Sequence, residues 1–475
     1  MRWRRSRSVV ASLALVGMGF VAPAATAAAP VIGSLRPIPL TPIRMANVNL
    51  SFPPTTAFCL ANLGIACYQP AQFQQAYDLG PLYQEGLDGA GSTIVIVDAF
   101  GSPTIKNDLS VFDSTFGLPD PPSFKIIRPA GAIPAYPSDP FGKADRSGWA
   151  VETTLDVEWS HVMAPGANIL LVETPQSETE GVQGFPQIIQ AENYVINHHL
   201  GDVISQSFAA TEQTFQPTPQ VILNLRSAYV NAAKNNVTVL AASGDEGATN
   251  LLPDLSCCYP FRVTSWPSSD PLVTAVGGTQ LHLDANGNRV APDNVWNDQN
   301  VGIDAAGGGG QSIVFPRPAF QNSVANVVGG QRGVPDVSMS AAVNGAVDFY
   351  YSFCDYSRSN PTTGKPPLCG PQWHLVGGTS EASPLFAGVV AIADQAVGHS
   401  IGDLNSYLYS RPQGIVDITA GNNSLTFCAA NCGATGEVDT TVNGFNAVPG
   451  YDLASGLGTI DGFQFVTGIR NAFGD

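Results

Sequence analysis

The chain has 475 residues, of which 12% are charged, with a formal net charge of −17 and 49 glycines. That length allows one large α/β domain or two to three smaller ones. The absence of any basic run beyond the first few residues argues against a nucleic-acid partner, and a surface with so few charges suits an acidic environment.

The opening MRWRRSRS is basic, VVASLALVGMGFVA is apolar, and APAATAAAP supplies an A-x-A site. This is the pattern of a secretory signal, with cleavage expected near Ala27. The apolar run is too short and too rich in Ala and Gly for an anchor, so an exported protein with no membrane partner after signal removal is expected. Eight cysteines fit an oxidising compartment. Their spacing suggests bridges Cys59–Cys67, Cys354–Cys369 and Cys428–Cys432, and adjacent Cys257 and Cys258 can pair with each other. None shows the C-x-x-C pairs of a zinc site.

Residues 28–66 are Pro-rich and aperiodic, and read as a short leader or pro-segment ahead of one domain spanning 67–475. From Tyr68 the texture changes. PAQFQQAYDLGPLYQEGL predicts helix and loop, and GSTIVIVDAF a buried strand ending at Asp98. KNDLSVFDSTFG has helical spacing and a glycine stop. SGWAVETTLDVEWSHVM reads as helix and ANILLVE as strand. GFPQIIQAENYVINHH reads as helix and DVISQSF as strand. VILNLRSAYVNAAKNN predicts one helix, VTVLAASGD and PLVTAVGG strands, and residues 280–375 loops and short strands. Apolar strands alternating with helices predict an α/β fold: a mostly parallel central sheet with helices on both faces. Sites in such sheets collect at the carboxyl ends of the strands.

Three stretches carry chemistry. In Gly377-Gly378-Thr379-Ser380-Glu381-Ala382-Ser383-Pro384, a tight glycine turn leads into the apolar helix PLFAGVVAIADQAV, with Ser380 at the junction. A serine there lies near free backbone N–H groups and the positive end of a helix dipole, which favours a nucleophile; an N-cap serine is the plain alternative. Glu152 and Asp156, four apart, share one helix face. Two carboxylates in the apolar setting of Trp149, Val151, Leu155 and Val157 would share a proton and serve as a general base; a solvated acidic face is the plain alternative. Asp245 in AASGDEG follows a strand, either as a turn residue or as a protonated donor.

Together, ETTLD, ASGD and GGTSEASP resemble the sedolisins, the serine-carboxyl peptidases of subtilisin-like fold, with the pattern E-x-x-x-D, S-G-D and G-T-S-x-x-x-P in order. IVIVDAFGSPTI, APGANI, AVGGTQL, VWND, GGGGQSIVFPRPAFQ, RGVPDVS and GYDLASGLGTIDG are similar too, so the likeness runs from about Tyr68 to the end. It implies Ser380 as nucleophile, Glu152 as its general base, Asp156 orienting Glu152 and sharing its proton, and protonated Asp245 in the oxyanion hole. A carboxylate base with a protonated oxyanion donor implies activity at acidic pH. The resemblance further implies one structural calcium ion on Asp417, Ile418, Val448, Gly450 and Asp452, through two carboxylates and backbone carbonyls. Val448 and the insertion from Cys428 to Cys432 depart from the family there, as does the short stretch 28–66 where a large pro-domain is usual.

The expectation is therefore a secreted, monomeric serine-type endopeptidase acting on proteins or peptides. Three alternatives are open to the residues: a subtilisin-type triad of Asp98, His161 and Ser380, an inactive homologue acting as a binding protein, and a glycosidase built on the carboxylate pair.

Overall fold

Six of the seven residues of TIVIVDA are buried, so this run forms an inner strand of a sheet covered on both faces. In the computed structural model it is β1 (Thr93–Ala99). Next comes α1 (Ile105–Phe116), closed by Gly117 at φ 70°, the left-handed conformation of a helix-ending glycine. The chain continues through β2 (Phe124–Ile127), α2 (Asp145–Met163), β3 (Asn168–Thr174), α3 (Phe185–Asn197), β4 (Val203–Gln206), α4 (Ser227–Lys234), β5 (Thr238–Ala242) and β6 (Thr274–Gln280). After these come β7 (Asn294–Val295), β8 (Val337–Ser340), β9 (Ala346–Tyr351), β10 (Gln372–Gly377), α5 (Thr379–Val397), β11 (Leu425–Ala430), β12 (Val438–Val442) and α6 (Gly462–Phe473). The structure describes residues 43–44, 50–134, 145–178, 184–216, 218–252, 257–353, 371–410, 413–430, 432 and 437–474, all within the unit Leu35–Asp475. The expected signal and the Cys354–Cys369 bridge lie outside the described residues.

The main sheet runs β7-β6-β5-β4-β1-β3-β2, with β8 also paired to β6. Every neighbouring pair is parallel except β6 with β7. Alternate residues point to opposite faces: Ile94 and Ile96 enter one core with residues of α1, α2, α5 and α6, while Val95 and Val97 enter another with residues of α3 and α4. The fold is the subtilisin-like α/β sandwich expected from the strand–helix alternation. Helices α2 and α5 meet on the first face, where a Cβ on Gly388 would come within 2.5 Å of the Met163 Cβ. Only glycine lets the two helices that carry the candidate chemistry pack so closely.

Some elements depart from the sequence reading. The helix expected through Arg226 is two, Gln220–Leu225 and Ser227–Lys234, and at the break Arg226 grips the buried carboxylate of Asp270 through Nε at 2.5 Å and Nη2 at 2.8 Å. The region read as loops and short strands holds β8, which among the described residues pairs with β6 alone, and the antiparallel pair β9–β10. Part of the stretch read as leader is tied to the body. Leu50 exchanges backbone hydrogen bonds with Trp373, and helix Thr56–Asn62 is bridged through Cys59–Cys67, both cysteines fully buried. The Cys257–Cys258 and Cys428–Cys432 bridges are also formed. No described helix is long and apolar enough to cross a membrane.

Candidate active site

Helix α5 begins at Thr379, so Ser380 lies in its first turn rather than before it. The turn is reached through Gly378 at φ 139°, and amides of a first turn have no acceptor within the helix. Pro384 has no N–H to offer the Ser380 carbonyl; that oxygen lies instead 3.3 Å from Ser207 Oγ. The helix therefore starts with its polar groups held from outside, by β4 and by the turn after β5.

The turn after β5 carries Asp245. Its Oδ1 accepts the Thr379 N–H at 2.7 Å and the Thr379 hydroxyl at 2.8 Å, while Thr379 Oγ1 accepts the Gly244 N–H at 3.0 Å. Oδ2 is buried with no protein partner. Burial raises the Asp245 pKa to about 7, against the lowering effect of the Thr379 bonds. Asp245 thus presents one bonded oxygen and one that, protonated, is a donor without an acceptor.

Glu152 is 2% exposed and Asp156 is fully buried, one turn apart on α2. Glu152 is pushed well above the usual carboxylate range by desolvation, then by Asp156; the nearby Ser380 hydroxyl pulls it down, and Asp98 and Asp245 raise it further. The Ser380 hydroxyl closes no bond of good geometry to Glu152, the loose arrangement common before substrate tightens a site. Asp156 is raised by desolvation and then by Asp98, and lowered by a bond from Ser207. Ser207 Oγ is 3.0 Å from Asp156 Oδ1 and 3.3 Å from the Ser380 carbonyl. Ser207 donates to Asp156 and its oxygen also lies beside the Ser380 carbonyl, so this hydroxyl ties the carboxylate pair to the start of α5. Burial of two carboxyls one turn apart, each raised first by desolvation, favours a proton on the Glu152–Asp156 pair.

The four residues Ser380, Glu152, Asp156 and Asp245 therefore come together at the carboxyl end of the sheet. His161 does not join them. It sits nine residues beyond Glu152 on the same helix, about 13 Å further along, with Nε2 at 2.7 Å from the Pro119 carbonyl. The Asp98–His161–Ser380 triad fails on that distance.

Sequence reasoning placed Asp98 at the carboxyl end of its strand, where the Ser380 turn should join it, but gave it a chemical role only in a histidine triad. In the structure it is a further buried carboxyl, raised to about 7 first by burial, which also raises the pKa of Asp156 and Glu152. The role of the glycine run was missed as well. Ala306 N–H donates to the Asp245 carbonyl, Gly247 N–H to the Ala306 carbonyl, and Gly308 N–H to the Gly244 carbonyl. A Cβ on Gly308 would stand 2.3 Å from the Ser243 carbonyl, so this segment can lie against the Asp245 turn only as glycine.

The expected calcium ligands also converge. Gly450 N–H donates to Asp417 Oδ2 and Val448 N–H to Asp452 Oδ2, each at 2.9 Å. Asp452 Oδ1 is occupied by the N–H groups of Ala454 and Ser455 and by the Ser455 hydroxyl. Asp417 and Asp452 thus both lie against the 448–450 loop, and carboxylates are hard oxygen donors of the kind calcium takes.

A family model, described as the subtilase family, matches residues 145–407. This chain belongs to that family, in its sedolisin branch. It is 30% identical over 410 residues to kumamolisin of Bacillus sp. (strain MN-32), covering 85% of this chain and 63% of that protein. It is 28% identical over 429 residues to sedolisin of Pseudomonas sp. (strain 101), covering 86% and 62%. The chain thus spans less than two thirds of these curated relatives. A solved structure of Pseudomonas sedolisin, a serine-carboxyl proteinase complexed with two molecules of pseudo-iodotyrostatin, superposes with a TM-score of 0.65 at 26% identity, over 86% of this chain and 99% of that one.

Proposed function

We propose that this chain is a secreted, acid-active serine-carboxyl endopeptidase. The observation that carries the reading is the burial of Ser380, Glu152, Asp156 and Asp245 in one cluster, with the nearest histidine on that helix out of reach. Glu152 takes the Ser380 proton as the hydroxyl attacks the peptide carbonyl, and returns it to the leaving amine. Asp156 shares a proton with Glu152 and fixes its orientation. Asp245 Oδ2, protonated, donates to the oxygen that becomes negative in the transition state. Export rests on the basic and apolar N-terminal run, and protein or peptide substrates follow from the family.

The mechanism needs Glu152 to accept a proton while Asp245 keeps its own. With Asp245 at about 7, cleavage of denatured protein should fail as pH rises through that region. Asp245→Ala should cost about 10²–10³ in kcat. Asp245→Asn keeps a neutral donor, so its alkaline limb should move upward. An unchanged alkaline limb in Asp245→Asn would remove Asp245 from the oxyanion role.

We propose further that one structural calcium is held by the carboxylates of Asp417 and Asp452 and the carbonyls of Ile418, Val448 and Gly450. Chelation at pH 5 is expected to lower the Tm, and Asp417→Ala to lower it similarly and abolish the response to chelator. A Tm indifferent to both calcium and chelator would refute the site.

A further inference from the structure

Two features flagged in the sequence have no part in the chemistry so far: the adjacent cysteines and the insertion closed by Cys428–Cys432. In the fold the first packs against the hairpin that carries the second. Strands β11 and β12 pair antiparallel from Leu425 with Val442 to Cys428 with Asp439. The inner side of this hairpin, Leu425, Phe427 and Val442, packs with Cys258 and with the fully buried methyl of Ala306. Ala306 is the residue whose backbone holds the Asp245 turn, accepting from Gly247 and donating to Asp245.

The segment carrying the paired cysteines holds the same turn further along. Tyr259 N–H donates to the Asn250 carbonyl and Val263 N–H to the Ala248 carbonyl; the Thr249 hydroxyl donates to the Tyr259 carbonyl at 2.6 Å. The hairpin end contributes directly too, because the Asn423 carbonyl accepts the Ala248 N–H at 2.9 Å. A Cβ on Gly247 would lie 2.4 Å from that Asn423 oxygen, so the turn and the hairpin end touch with no slack.

We propose that the β11–β12 hairpin and the Cys257–Cys258 segment form a clamp that positions Asp245, with Leu425 and Phe427 as positioning residues acting through Ala306. A well-packed contact transmits displacement instead of absorbing it, and an error of about 1 Å in a catalytic group can cost a hundredfold in rate. The hairpin is thus a strut for the oxyanion side of the site. This inference rests on the oxyanion role proposed for Asp245, and its test must be able to fail separately.

The test compares Leu425→Ala/Phe427→Ala with Ile188→Ala, a truncation of the core on the opposite face of the sheet. Selective carboxyl ¹³C labelling of aspartate, with Asp245→Asn to assign the signal, reads the titration of Asp245 whether or not any substrate is cleaved. Loosening the clamp lets water reach Asp245, so its midpoint should fall from about 7 toward the ordinary aspartate range. The alkaline limb of cleavage should move down with it, with kcat about a hundredfold lower and KM little changed. Ile188→Ala should lower the Tm and leave the Asp245 midpoint in place. An Asp245 midpoint unmoved by the hairpin truncations, or moved equally by Ile188→Ala, overturns the clamp. A midpoint shifted by the hairpin truncations but not by Ile188→Ala, in a protein whose wild type cleaves nothing, would uphold the clamp and refute the peptidase.

Discussion

Ser380→Ala is expected to lower kcat on a denatured protein by about 10⁶, and Glu152→Gln by about 10³–10⁴. The difference follows from what each change leaves behind. Without the hydroxyl no acyl intermediate forms; with glutamine at 152 the hydroxyl remains but has lost its proton acceptor. Combining the two should cost no more than Ser380→Ala alone, because residues that act as a unit are not additive. Asp156→Asn should be milder, since the amide still occupies the space and can donate to Ser207. Single-turnover kinetics at pH 4–5 would measure all four. Glu152→Gln activity near that of the wild type would remove the carboxylate base, and the position of His161 offers no substitute.

The same variant separates catalysis from stability. Glu152 is buried with no cation among the influences on it, so its ionised form is costly to the fold. Glutamine removes that cost. Glu152→Gln should therefore melt at a higher temperature than wild type at pH 7, by a margin that shrinks as the pH falls. A residue retained for activity at the expense of neutral-pH stability would show that pairing of effects.

Much of this site could be read before folding. The E-x-x-x-D spacing placed Glu152 and Asp156 on one face because helical periodicity is local, and Asp245 followed β5 because an apolar run ended there. What could not be read depends on distant packing. Thr379 entered the helix because Asp245 and Gly244, more than 130 residues earlier, bind its N–H and hydroxyl. Strand β8 was not singled out among the expected short strands because VSMS is short and half polar, yet it pairs with β6 and is completely buried. Asp98 joined the carboxyl cluster through the apposition of β1 and α2. The glycines after Ala306 signalled a close approach, but not what they approached.

The stability of the whole fold is expected to fall as pH rises from 4 to 8. Besides the cluster, desolvation raises Asp113, Glu192 and Glu246 to about 8, and Glu158, Asp348, Glu381 and Asp394 well above their usual range. No lysine or arginine is among the influences on any of these groups. Each has a higher pKa folded than unfolded, so the folded state binds more protons between the two values. The stability they contribute is complete below about pH 4 and is lost as pH passes through 7 to 8. For Asp98, a rise from 3.8 to about 7 corresponds to roughly 4 kcal/mol, a large part of a net stability of about 5–15 kcal/mol. His161 acts the other way, because burial lowers its pKa and acid then favours the unfolded chain. One histidine cannot offset so many carboxyls. Calorimetry on Ser380→Ala, which removes self-digestion, should show the Tm highest near pH 4–5 and falling steeply above 6. Replacing Glu192 by glutamine, on the face of the sheet away from Ser380, should recover part of the loss at pH 7 and none at pH 4. A Tm that is flat or rises toward neutrality would mean that the buried carboxyls ionise at little cost, and the fold would then give no reason for an acid-working enzyme.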